Sequence, residues 1–149
     1  LMEIERKYLV KELPEHLDSY AKRELEQGYL CTSPVVRIRK DNDKYELTYK
    51  GKGLMVREEY NLPLTQESYE HLKTKIDGRI ISKTRYMIPL TETLTIELDV
   101  FHDDLAPLLL AEVEFPDEET ANQFLPPEWF GEDVTFSPVY HNSNLSKLF

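Results

Sequence analysis

Cysteine is nearly absent from this chain: Cys31 is the single one among 149 residues. It has no partner for an internal disulfide, so the reducing cytoplasm is the expected compartment. Four histidines, at 16, 71, 102 and 141, are scattered, and with one cysteine they offer neither zinc spacing nor a Cys–His nucleophile. No apolar run reaches bilayer-spanning length, and no basic segment followed by a hydrophobic stretch opens the chain, so no membrane partner is expected. Basic residues are the minority, 18 against 28 acidic, for a formal net charge of −10. Such a surface repels a polyanion at long range, which argues against nucleic acid as a partner. The glycine-rich phosphate loop is missing too. Gly51-Lys52-Gly53 lacks the G-x-x-x-x-G-K-[ST] spacing and reads as a hairpin turn.

What remains is ordinary globular material, 40% hydrophobic and 31% charged. No repeat or linker divides it, so a single domain over 1–149 is expected. Strand signals dominate: 2–10, then about 28–32, 35–40, 43–50, 55–62, 79–88, 92–101 and 108–115. Turn residues at Asp41-Asn42, Gly51 to Gly53 and Pro89 to Glu92 make the neighbours antiparallel. Helices are predicted over 14–27, from Thr65 to about Ile76, and from Asp117 through Leu125, with a short one in the C-terminal HNSNLSKLF. The class is therefore α+β, antiparallel.

The strands carry a second message. Side chains alternate between faces of a strand, and seven of these segments put charge on one face and apolar bulk on the other. The charged faces hold Glu3, Glu5 and Lys7; Arg37 and Arg39; Thr48 and Lys50; Arg57, Glu59 and Asn61; Lys83 and Arg85; Glu97 and Asp99; Glu112 and Glu114. Arg6 and Glu58 break the pattern by sitting on apolar faces.

An antiparallel sheet commonly wets one side, so these rows fit an outer surface. They also fit the inside of a closed sheet. Acids gather as pairs on separate strands, a large share of the scarce bases lies in the same rows, and the helices need an apolar outer face to cover. A charged lumen without partners would cost several kcal/mol per group in effective terms. A divalent cation held by carboxylates and a polyanion gripped by arginine and lysine would offset that cost.

In order along the chain, E-x-E-x-K (Glu3, Glu5, Lys7), "QGYL" (27–30), "VVRIR" (35–39), the K-x-R of Lys83 and Arg85, the "ELD" of 97–99 and the E-x-E of Glu112 and Glu114 resemble the CYTH domain, the triphosphate tunnel metalloenzyme superfamily. The resemblance covers nearly the whole chain. It implies an eight-stranded antiparallel β-barrel, a tunnel with a charged lumen, flanked by three or four helices.

The same resemblance implies a cytoplasmic hydrolase of small-molecule triphosphates, monomeric or homodimeric, using Mg²⁺ or Mn²⁺. Glu3, Glu5 and Glu114 would hold the metal, with Glu112 adjoining. Arg37, Arg39, Lys50, Arg57, Lys83 and Arg85 would grip the phosphate chain, and Lys52 extends the Lys50 row into the turn. Glu59, Glu97 and Asp99 would orient water or bind a second ion, and Lys7 would pair with Tyr29, a residue that equally suits the core. His141 and Lys147 are expected at the surface, and Trp129 in packing. The compact chain favours inorganic triphosphate, with nucleoside triphosphates as weaker substrates. Thiamine triphosphatase, class IV adenylyl cyclase and a non-catalytic polyphosphate- or nucleotide-binding module are the rival readings.

Overall fold

Nine strands, three α-helices and three single 3-10 turns make up the computed structural model, which describes residues 2–147. The strands are β1 (Met2–Val10), β2 (Ala21–Thr32), β3 (Val35–Asp41), β4 (Lys44–Lys50), β5 (Val56–Pro63), β6 (Asp77–Pro89), β7 (Thr95–Phe101), β8 (Leu109–Glu114) and β9 (Phe130–Asp133). They pair in the order β5-β4-β3-β2-β6-β7-β8-β1, and β1 closes back on β5. Every pairing is antiparallel. The result is the expected closed eight-stranded barrel, which has no free edge. β9 is an addition: it pairs with the second half of β1, on the edge whose first half meets β5.

The outward rows of β1, β7 and β8 are apolar and largely covered, whereas Tyr60 and Leu62 on β5 stay exposed. Tyr8, Ile88, Ile96, Leu98, Ala111, Val113 and Phe115 form one cluster that packs against Ala121 of α2 (Glu118–Gln123) and Phe130 of β9. Asp117 caps α2 through Thr120, as its position before the helix suggests. Arg6, the exception in its row, is the bracket for this layer. Its guanidinium donates to the Ala121 carbonyl at 2.7 Å, pairs with Asp133 at 2.6 Å and lies over the Tyr8 ring. Trp129 stacks edge-on against Phe130, 4.7 Å between centroids, and serves packing. The other expected helix is α1 (Gln66–Lys73), with Thr65 and Ser68 in a capping box.

The helix predicted over 14–27 is not there. Leu17–Ser19 forms one 3-10 turn, and β2 begins at Ala21. Leu17, Tyr20, Ala21 and Leu25 suit a helical stripe, but the same stretch alternates, with Leu25, Gln27 and Tyr29 buried. β2 bonds to β3 on one side and to β6 on the other. Pairing along both edges outweighs the modest helix propensity of the segment. Register shifts near Tyr29 mark a bulge in the middle of β2. At Gly28, inside it, a Cβ would sit 2.9 Å from the Ile76 side chain.

The inward rows are charged over part of their length only. Tyr29, Val35, Ile81, Phe101 and Leu110 continue them as apolar side chains and pack with Val134 and with Leu145 of α3 (Asn142–Leu145). The C-terminal segment thus packs into the barrel interior.

Candidate active site

Cross-strand register brings the charged rows into contact. Arg85 stands opposite Asp99, Glu97 opposite Glu112, Glu112 opposite Lys7, and Glu5 opposite Glu114. Around the rest of the barrel, Glu3 stands opposite Arg57, Lys50 opposite Glu59, Arg37 opposite Thr48, and Arg39 opposite Gln27. Glu3, Glu5, Lys7, Tyr29, Arg37, Arg39, Lys50, Arg57, Glu59, Lys83, Arg85, Glu97 and Glu112 line one cavity. Charges of both signs therefore face inward and share one space.

Three expected site residues stand aside from that cavity wall. Asp99 is fully buried behind it, between Lys83 Nζ at 2.7 Å and a two-pronged contact with Arg85 at 2.7 and 2.9 Å. Glu114 is exposed at the rim, where it shares an outer cleft with Glu97. Lys52 is exposed in a cleft at the mouth that also touches Arg57 and His141.

Electrostatics divides the wall. Lys50 bridges Glu3 at 2.8 Å and Glu59 at 3.4 Å. Burial pushes the Glu59 carboxyl up, but its hydrogen bond with Glu3, the Lys50 ammonium and Asn61 prevail and hold it at about 2. Burial also opposes ionisation of Glu112, yet Lys7 at 3.6 Å and Arg85 at 3.8 Å keep it well below the usual carboxylate range. Glu5 is the opposite case. Burial and the neighbouring Glu112 and Glu3 carboxylates raise it well above the ordinary value, and among the described residues no hydrogen-bond donor or ion-pair partner reaches it. Burial, Glu59 and Glu97 raise Glu114 as well.

This carboxylate pole has the chemistry of a hard divalent cation site. Among the described residues no three ligating groups close around one point, and Glu3 and Glu112 already answer protein cations. Two carboxylates without a counter-ion, Glu5 and Glu114, directly opposed on β1 and β8, are what an ion with mostly water and phosphate ligands asks of a protein. The donor set is one of hard carboxylate oxygens, of the kind a divalent cation takes.

The cationic pole lies on β3, β5 and β6. Burial drives the Lys83 ammonium down to about 7, with Asp99 opposing and Arg85 assisting. Arg37 donates through Nη2 to Thr48 Oγ1 at 3.0 Å, while its Nε is buried without a partner among the described residues. Glu46 is 3.9 Å away, at the margin of an ion pair. Among the described residues Arg57 binds only the Gly51 carbonyl, at 3.2 Å. Such donors, held in place with capacity to spare, suit an oxyanion.

Lys7 and Tyr29 share the cavity, but each has another partner: Lys7 Nζ donates to the Tyr140 carbonyl at 3.3 Å, and the Tyr29 hydroxyl accepts from Gln27 at 3.2 Å. His141, expected at the surface, is instead buried against the lumen with Asn142. Burial and the Lys7 charge bring its pKa down to about 4. Lys147 is exposed, as expected, and donates to Thr32. Val35, Asn142 and Ser143 also line the cavity without having been expected there, and Gln27, inside the stretch read as a helix, lies buried behind the wall against Arg39 and was given no role by sequence reasoning. The inward parity it shares with Tyr29 was the available signal.

A closed antiparallel barrel with opposed acidic and basic linings defines a class of protein, tunnel domains that place a cation and an anion side by side. Residues 1–148 match the sequence model of the CYTH domain, and the chain belongs to that family. It is 41% identical to an inorganic triphosphatase of Nitrosomonas europaea over 98% of this chain and 97% of that protein. It is 38% identical to an inorganic triphosphatase of Acetivibrio thermocellus, over 97% and 93%. Its fold matches the crystal structure of the inorganic triphosphatase NE1496 with a TM-score of 0.74 at 38% identity, covering 99% and 95% of the two chains.

Proposed function

We propose that this protein is a divalent-metal-dependent triphosphatase acting on inorganic triphosphate. The observation that carries the reading is the shared cavity, in which the Arg37 guanidinium with its unpartnered Nε and the Glu5 carboxylate, which has no ion-pair partner among the described residues, line one space. The names of its two relatives point the same way. Arg37, Arg39, Arg57, Lys50 and Lys83 hold the phosphate chain extended across the lumen. Arg85, fixed by Asp99, adds a charge beside the carboxylates. Glu5 and Glu114 hold the cation, with Glu3 and Glu112 beside them tempering Lys50 and Lys7.

When bound, the metal neutralises phosphoryl oxygens and lowers the barrier to displacement. The protein's part is placement. Basic side chains align the anhydride bond, and Glu59 or Glu97, both on the cavity wall, accepts a hydrogen bond from water poised for in-line attack. Asp99 serves from behind by fixing Lys83 and Arg85. Lys7, between Glu112 and the Tyr140 carbonyl, holds positive charge near the breaking bond, with Tyr29 across the cavity.

The aromatic rings on this wall are Tyr29 and His141 alone among the described residues. No stacked platform for adenine or thiazolium stands there, so a bare phosphate chain is the better fit. The test is orthophosphate release from inorganic triphosphate, thiamine triphosphate and ATP with Mg²⁺, Mn²⁺ or EDTA. The expected result is metal-dependent release, fastest with inorganic triphosphate. Pyrophosphate and cyclic AMP as the dominant products from ATP, or tight triphosphate binding with no turnover, would contradict it.

A further inference from the structure

One stretch of the cavity wall is held by amides rather than carboxylates. Gln27 on β2 is 0% exposed and stands opposite Arg39 in the β2–β3 register. Its Oε1 accepts from Arg39 Nε at 2.8 Å and from Nη2 at 2.6 Å. Its Nε2 donates to the Tyr29 hydroxyl at 3.2 Å and to Asn142 Oδ1 at 3.3 Å. Asn142 Oδ1 in turn accepts from Lys83 Nζ at 2.9 Å. The buried amide is therefore used at both ends, as a buried polar group must be.

The contrast with the other buried cations is in charge. Lys7, Lys50, Lys83 and Arg85 each lie within 4.0 Å of a carboxylate. Arg39 has none so near among the described residues. Two converging hydrogen bonds fix the plane of a guanidinium much as a carboxylate fork would, and an amide oxygen does so without neutralising it. An incoming anion then meets an oriented, uncompensated charge and has no internal ion pair to break.

We propose that Gln27 is a positioning residue of the anion site, which aims the Arg39 guanidinium into the lumen with its charge free and ties it through Asn142 to Lys83. The proposal rests on the reading above that the lumen receives a triphosphate chain. Burial and the Arg37 and Arg85 charges also bring Arg39 down to about 9. An oriented Arg39 beside them is a strong, desolvated anion trap.

Titration calorimetry with inorganic triphosphate in EDTA, beside steady-state kinetics with Mg²⁺, tests this. Gln27→Glu keeps the acceptor oxygens and adds the charge. It should weaken binding about ten-fold or more and raise KM by a similar factor, with a smaller fall in kcat. Gln27→Met removes the hold without adding charge and should weaken binding only about three-fold. Wild-type affinity in Gln27→Glu, or equal losses in the two variants, would overturn the proposal. Should Gln27→Glu fail to fold, Asn142→Ala cuts the same relay from its solvent side. A KM raised about three-fold is expected there, and an unchanged KM would overturn the proposal. A wild-type protein that binds no triphosphate would overturn the underlying reading instead, which the wild-type titration reports separately.

Discussion

Glu5 on β1 and Glu114 on β8 face each other directly across the antiparallel ladder, and neither has an ion-pair partner among the described residues. Glu5 is buried beside the like charges of Glu112 and Glu3, and Glu114 lies near those of Glu59 and Glu97, so each carboxylate is disfavoured as an anion. The arrangement makes sense as the protein's half of a cation site. Removing one of them should therefore stabilise the metal-free fold while abolishing the metal's effect. Glu5→Gln is expected to leave thermal stability in EDTA unchanged or raised by the equivalent of about 0.2–1 kcal/mol. Mg²⁺ should raise the unfolding temperature of the wild type by mass action and not that of the variant. Equal shifts in both would place the cation elsewhere.

The same carboxylate sets a pH dependence. Its pKa in the folded protein lies well above the ordinary value because of burial, Glu112 and Glu3. Between the ordinary and the raised pKa the folded state binds a proton that the unfolded chain has released, so metal-free stability from this group grows as pH falls. A cation must displace that proton. The Mg²⁺-induced rise in unfolding temperature should shrink as pH is lowered from 8 to 5. A rise independent of pH across that window would contradict the assignment.

Asp99 holds two buried cations at once, Lys83 and Arg85. Burial opposes its ionisation, but the two cations prevail and keep its pKa low. Asp99→Asn leaves both without their buried counter-ion and should cost about 3–5 kcal/mol in denaturant unfolding. Lys83, already near 7, should fall further, which NMR titration of its side chain would read. A loss of under about 1 kcal/mol, the scale of surface pairs, would mean that Asp99 is not the keystone of the cationic pole.

The strand rows were legible because alternation is local: Glu3, Glu5 and Lys7 face one way whatever the rest of the chain does. Seven such rows, together with the CYTH resemblance, carried the barrel and most of the wall. The first half of β2 was not legible, because Leu17, Tyr20, Ala21 and Leu25 satisfy a helical period as well as a strand. Only pairing with β3 and β6 chooses between them. β9 is four residues long, too short to display a period. His141 and Asn142 reach the lumen through contacts with segments more than a hundred positions away, such as Gln27 to Asn142, and nothing local announces that. Gln27 needed both the strand and the contact.

The most direct measurement is a crystal structure of the protein with inorganic triphosphate and Mn²⁺ at a pH that slows turnover, using the anomalous signal of manganese. The account predicts a phosphate chain inside the barrel, touching Arg37 and Arg39, and a manganese peak within coordination distance of Glu5 and of a phosphate oxygen. A chain bound on the outer surface, or manganese at a site remote from Glu5 with the lumen holding water alone, would contradict it.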